Sequence, residues 1–279
     1  MRSLILGSVL LAGSIFDLAF SASTASPKAH RLTRRANPSL DSSFGASDTE
    51  TQQINNAFFD AIELASYAVV ADIDTNGPIF AKYFNLADKG TVRSVFMSIM
   101  GNPADVMNPG TTGNDLLGKI TVTRSDPDGD CAADATLMAQ LTQYDTDTPL
   151  LEVCPGAGFG HGAIGKDPNK VVCENLGDTV SWRMETLGSI LLHEYTHYTN
   201  LVVPPLSAET DDLDDGYGPI NTRALDKSLA KTNADSYSWY ANEVLWSNIC
   251  SKSFNDPAPG DDNDPNCSGT VCTATKANP

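Results

Sequence analysis

His193-Glu194-Tyr195-Thr196-His197 is the segment of this chain with the clearest chemical capacity. Histidines four residues apart project from one face of a helix, so both imidazoles can reach a single ion. The glutamate after the first histidine can hold or deprotonate a water on that ion. This is the H-E-x-x-H zinc pattern. Here it uses two of only four histidines, and Leu187, Ile190 and Leu191 lead into it at helical spacing. The spacing predicts a helix over 185–199.

A catalytic zinc normally takes three protein ligands and a water, so a third donor is needed. The acidic run Glu209, Asp211, Asp212, Asp214 and Asp215 follows the helix after a plausible loop. Glu243 and His161 are remoter donors. Asp212 and Asp215 are also candidates to accept hydrogen bonds from the ligand imidazoles, as zinc sites usually arrange.

The histidine motif followed by Asp214-Asp215-Gly216-Tyr217-Gly218 resembles the aspzincins. These are the deuterolysins and related peptidyl-Lys metalloendopeptidases, whose second motif reads G-T-x-D-x-x-Y-G. The resemblance implies an α+β, zincin-like fold, mostly helical, with a small sheet flanking the H-E-x-x-H helix. It implies one Zn2+ held by His193, His197 and Asp214. Glu194 would be the general base, and Tyr217 would stabilise the transition state. At the motif's opening Gly-Thr this chain has Asp211-Asp212. Asn233-Ala234-Asp235-Ser236-Tyr237 also resembles the segment that follows in the family, so the likeness spans roughly 150–250.

Other elements must position this site. Ile54, Phe58, Ile62, Leu64, Ala65, Ala68 and Val69 recur at helical spacing within 49–72. Residues 78–84 and 92–100 read as further helices, broken at 85–89 and at Gly101-Asn102-Pro103. Short strands are expected at 120–123 and 150–153, with a third extended piece at 171–172. The glycine-rich run 156–165 lacks the Lys-Ser/Thr of a phosphate loop and reads as a flexible connection. Met97, Met100 and Met107 read as core, and Trp182, Trp239 and Trp246 as packing anchors. Tyr237 and Tyr240 share a helix face behind the metal helix.

The ends of the chain set its expected compartment. Met1-Arg2, an apolar run over 4–20 and small residues at 21–25 read as a secretory signal peptide, residues 1–25. Residues 26–35 form a short basic pro-segment ending in the dibasic pair Arg34-Arg35. The catalytic domain is expected over 36–250, with an Asp/Pro-rich, disulfide-tied tail over 251–279. The six cysteines of a secreted chain suggest three disulfides. Cys154–Cys173, Cys131–Cys250 and Cys267–Cys272 are the expected pairs.

The chain has 279 residues, 18 Lys+Arg against 35 Asp+Glu, and a formal net charge of −17. That balance excludes nucleic acid and a basic membrane-surface role. Cleavage after Arg35 would remove five of the basic residues and one acidic residue, leaving −21. Such a surface steers basic proteins or Lys-containing peptides toward a cleft. The expectation is a secreted, monomeric zinc endopeptidase without a membrane anchor. The alternative is a catalytically degenerate relative that binds metal or protein as an effector.

Overall fold

In the computed structural model the described residues are 37–46, 48–101, 113–164 and 173–258, with the backbone alone of 267–268 and 271–272. The chain divides into two units, Met1–Thr33 and Arg34–Pro279, and all described residues belong to the second. The expected signal peptide and basic segment, Met107 and the extended piece at 171–172 lie outside the described residues.

Asp48 starts the first helix: its carboxylate accepts the Glu50 N–H at 3.1 Å, satisfying a donor that the first helical turn leaves open. Helix α1 spans Thr49–Tyr67 and runs on as a π-helical turn over Ala68–Ile73. Its apolar face, Ile54, Ala57, Phe58, Ala61, Leu64 and Ala65, is buried as the periodicity predicts. Helix α2 spans Phe80–Tyr83 and α3 spans Lys89–Met100, separated by a 3-10 turn at Leu86–Asp88. Short helices α4 (Asp130–Ala133) and α5 (Ala157–Gly160) flank a β-hairpin. Then come α6 (Leu187–His197), α7 (Thr199–Val202), α8 (Gly218–Ala224) and α9 (Ala234–Ile249).

The four-stranded sheet has the order β1-β2-β4-β3. Strands β1 (Ser39–Leu40), β2 (Thr121–Thr123) and β4 (Leu150–Val153) are parallel, and β3 (Ala139–Thr142) pairs antiparallel with β4. Strand β2 lies where alternation predicts it, and β4 falls on the short strand expected at 150–153. Strand β1 has only two residues, and β3, Ala-Gln-Leu-Thr, has little β-propensity of its own. Register holds β3 in place, setting Leu141 opposite Leu151. Helices outweigh this small sheet, so the protein is a mixed α and β structure.

Helix α6 packs against α1, α9 and β3. Behind it, the rings of Phe84 and Phe96 meet Tyr237 and Tyr240 at centroid distances of 5.2–5.9 Å. Trp182 and Trp239 meet edge to face at 5.2 Å. Trp246 is buried and donates to the Met184 carbonyl at 2.9 Å. All three tryptophans serve as packing anchors.

The disulfides differ from the expected pairs. Cys131 bonds Cys154 and Cys173 bonds Cys250. The β3–β4 hairpin is the reason for the first: it returns Cys154 to the Met138 carbonyl, beside the short helix that carries Cys131. For the second, the segment after α9 folds back on 178–180. Val180 N–H donates to Asn255 O, and Asn255 N–H to Asp178 O. That return brings Cys250 to Cys173. In the terminal hairpin, β5 (Cys267–Ser268) and β6 (Val271–Cys272), the backbone sets Cys267 opposite Cys272. No helix among the described residues is long and apolar enough to cross a membrane.

Candidate metal centre

Thr186 sets where α6 begins. Its hydroxyl accepts the Ser189 N–H at 3.1 Å, and the Ser189 hydroxyl accepts the Thr186 N–H at 2.9 Å. This reciprocal cap starts the helix two residues later than the predicted 185. Gly188 then lets α6 approach α1: a Cβ there would lie 2.4 Å from the Asp60 Cβ. Every residue from Leu187 to Thr196 is buried. The motif therefore sits deep, with His193 7% and Glu194 5% exposed.

The two imidazoles meet as the four-residue spacing requires, with their Nε2 atoms 3.2 Å apart. Asp212 closes the set, its Oδ1 lying 2.9 Å from His193 Nε2 and 3.5 Å from His197 Nε2. On the far side of each ring, His193 Nδ1 is 2.7 Å from Asp235 Oδ1 and His197 Nδ1 is 2.9 Å from the Thr210 carbonyl. A carbonyl can only accept, so His197 Nδ1 carries a proton; the Asp235 carboxylate fixes His193 in the same way. In the neutral rings both Nε2 lone pairs then face Asp212. Two imidazole nitrogens and one carboxylate oxygen, each ring held from behind, are donor types that suit a zinc ion. The residues fit the ion that the motif implies.

The electrostatics point the same way. Burial disfavours a charged His193, but the Asp212 and Asp235 carboxylates outweigh it and hold its pKa well above the usual value. Burial likewise acts against a charged His197, and Asp212 raises it overall. Burial pushes the Asp212 carboxyl up, yet hydrogen bonds from both imidazoles pull it below the usual carboxylate range. The site thus favours positive charge between these three groups.

The third member of the converging group is Asp212, whereas the motif count placed it at Asp214. Asp214 lies in an exposed 3-10 turn, Asp214–Gly216, outside the converging group. The loop is clamped just before Asp212: Thr210 N–H donates to the Thr196 carbonyl at 3.3 Å and Asp211 N–H to Thr232 O at 2.8 Å. Asn233 clamps it just after, accepting from Leu213 N–H and donating to Gly216 O. Asp212 is thereby aimed at the imidazoles. Counted from Thr210, the Thr-x-Asp part of the resembled motif falls on Thr210-Asp211-Asp212, with two extra residues before Tyr217. Thr210 was the signal that could have found it. The exposed Asp215 contacts neither imidazole among the described interactions.

Glu194 and Tyr217 line one small cavity with His193, Asp212 and Asp235. It measures about 70 Å³, more than the roughly 10–15 Å³ that one water needs. Burial raises the Glu194 pKa, with partial relief from the two histidines. Tyr217 is 37% exposed, its ring centroid 6.3 Å from that of His193. Burial and the surrounding carboxylates push its phenol up, so it keeps its proton. Gly218 anchors it, at φ +81°, donating to Asp235 Oδ2 at 2.6 Å.

The remoter donors serve elsewhere. Glu243 is buried and pairs with Lys82 at 2.7 Å, with Tyr83 at 2.8 Å and with Arg223. His161 is buried beside Glu185, apart from the converging trio. The pattern reading missed Asp235 and the Thr210 carbonyl as imidazole partners. Asp235 sits in the Asn-Ala-Asp segment, 42 residues from His193. Compared with known proteins, the chain matches no protein-family model and no curated protein.

Proposed function

We propose that this chain is a secreted zinc-dependent endopeptidase of the aspzincin type, with a zincin-like fold. The observation that carries the reading is the convergence of His193 Nε2, His197 Nε2 and Asp212 Oδ1 beside the buried carboxylate of Glu194. Two disulfides accord with an oxidising destination.

His193, His197 and Asp212 would hold the ion. Bound zinc supplies a Lewis acid that acidifies water and polarises a carbonyl. Glu194 takes the proton from the attacking water and returns it to the leaving amine. Its burial moves its pKa toward neutrality, which suits an acid–base group. Tyr217 O–H donates to the developing oxyanion. Asp235 and the Thr210 carbonyl keep both rings in the tautomer that offers Nε2. Strand β3 is the edge of the sheet beside α6, and an extended peptide would add there as a further strand. The net charge of −17 favours basic substrates.

Casein and histone hydrolysis by the mature protein tests this. Cleavage should stop with a chelator and return with zinc. Retained cleavage by Glu194→Ala would sink the mechanism.

A further inference from the structure

Glu152 lies on β4, outside the H-E-x-x-H centre, and is only 1% exposed. A carboxylate this deep needs hydrogen-bond donors or a cation. Its Oε2 has a donor, the Gln140 side-chain amide at 3.0 Å, from the residue opposite it on β3. Its Oε1 has none among the described residues. Cys131 Sγ is 3.4 Å away, but that sulfur is bonded to Cys154 and carries no proton.

The groups around Glu152 are negative instead. Asp126 brings a carboxylate oxygen within 4.8 Å of one of Glu152. Asp130 accepts the same Gln140 amide at 3.1 Å, so one NH2 group spans two carboxylates. Burial raises the Glu152 pKa, and the charges of Asp126 and Asp130 add to the rise. Nearby donors and cations are engaged elsewhere. Thr123, opposite Glu152 on β2, gives its hydroxyl to Asp41, and Arg124 pairs with Asp48 and Glu50.

Asp126 is also fixed in place. Its two oxygens accept the N–H groups of Cys131 and Ala132, at 3.3 and 2.9 Å. The Cys131–Cys154 disulfide then ties this loop to the end of β4. The buried oxygen of Glu152 therefore faces acids that the fold holds beside it. We propose that Asp126, Asp130 and Glu152, with the Gln140 side chain, hold a calcium ion.

The donors are all oxygen, since the one sulfur in reach belongs to a disulfide. Calcium takes about six to eight oxygens in flexible geometry, whereas zinc favours nitrogen and sulfur. Asp126 is half-buried and Asp130 exposed, which leaves the outer side of the ion to water. Gln140 alternates on β3 with Ala139, which lines the cavity at the proposed zinc centre. It therefore faces the other side of the strand. The ion would brace this edge strand from behind, whatever reaction the zinc centre performs.

Equilibrium dialysis of the zinc-loaded full chain against radioactive calcium tests this. Calcium should bind with a Kd on the order of 10⁻⁴–10⁻³ M, as in extracellular modules. Glu152→Gln should remove one ion per chain or weaken it about tenfold or more, and so should Asp126→Asn. Asp214→Asn, in the other acidic run, should change nothing. Circular dichroism checks that the variants are folded. Saturating calcium should raise the Tm of the wild type more than that of Glu152→Gln. A wild type that takes up no calcium overturns the proposal. So does uptake, or a rise in Tm, that neither Glu152→Gln nor Asp126→Asn reduces. Asp126 and Glu152 would then be a carboxyl pair sharing a proton.

Discussion

Asp235 on α9 accepts the Nδ1–H of His193 on α6 at 2.7 Å, and its other oxygen accepts the Gly218 N–H at 2.6 Å. One carboxylate therefore joins an imidazole of the proposed metal site to the turn that carries Tyr217. Asp235→Asn keeps an acceptor but loses the negative charge behind the ring. Zinc affinity should fall about 10–100-fold, measured by competition with a chromogenic chelator. Affinity equal to that of the wild type would show that Asp235 does not support the site.

Asp212 and Asp214 differ by two positions and by everything that matters to a ligand. Asp212→Asn should lose stoichiometric zinc on elemental analysis and at least about 100-fold in activity. Asp214→Asn, on the exposed turn, should retain both. The reverse result would restore the motif count over the geometry.

Glu194→Gln should retain zinc and lose turnover, because an amide cannot take the proton from water. Tyr217→Phe should lower kcat about 10²-fold by analogy with other oxyanion donors, with little change in KM. A Tyr217→Phe defect confined to KM would place the hydroxyl in substrate binding.

Gly218 is constrained twice. Its φ is +81°, and a Cβ there would lie 2.6 Å from Trp182 Cζ2. Gly218→Ala should cost about 1–3 kcal/mol, seen as a lower midpoint in urea unfolding. A midpoint within error of the wild type would mean that Trp182 gives way freely.

The response to pH should depend on zinc. Without metal, His193 and His197 have raised pKa values in the folded state. Their contribution to stability is full below the unfolded pKa of about 6.5 and fades as pH rises through the folded values. Zinc needs both rings neutral, so its stabilisation grows with pH. The Tm difference between zinc-loaded and metal-free protein should therefore widen from pH 5.5 to 8. A constant difference would mean that the ion does not bind these rings.

Features of local cause were legible in the residues alone. The 3.6-residue period places His193 and His197 on one face with Glu194 beside them, wherever the helix packs. The same period marks α1 and α3, and alternation marks β2. Contacts made across long stretches of chain depended on how the elements pack. Asp212 and Asp214 are chemically alike in sequence, and the choice between them rests on the clamps at Thr210, Asp211 and Asn233. Strand β3 exists through its pairing with β4. Cys154 meets Cys131 because that hairpin folds back, and Asp235 reaches His193 because α9 packs on α6. Such contacts join residues through packing, so residue type and spacing could nominate them but could not choose among them.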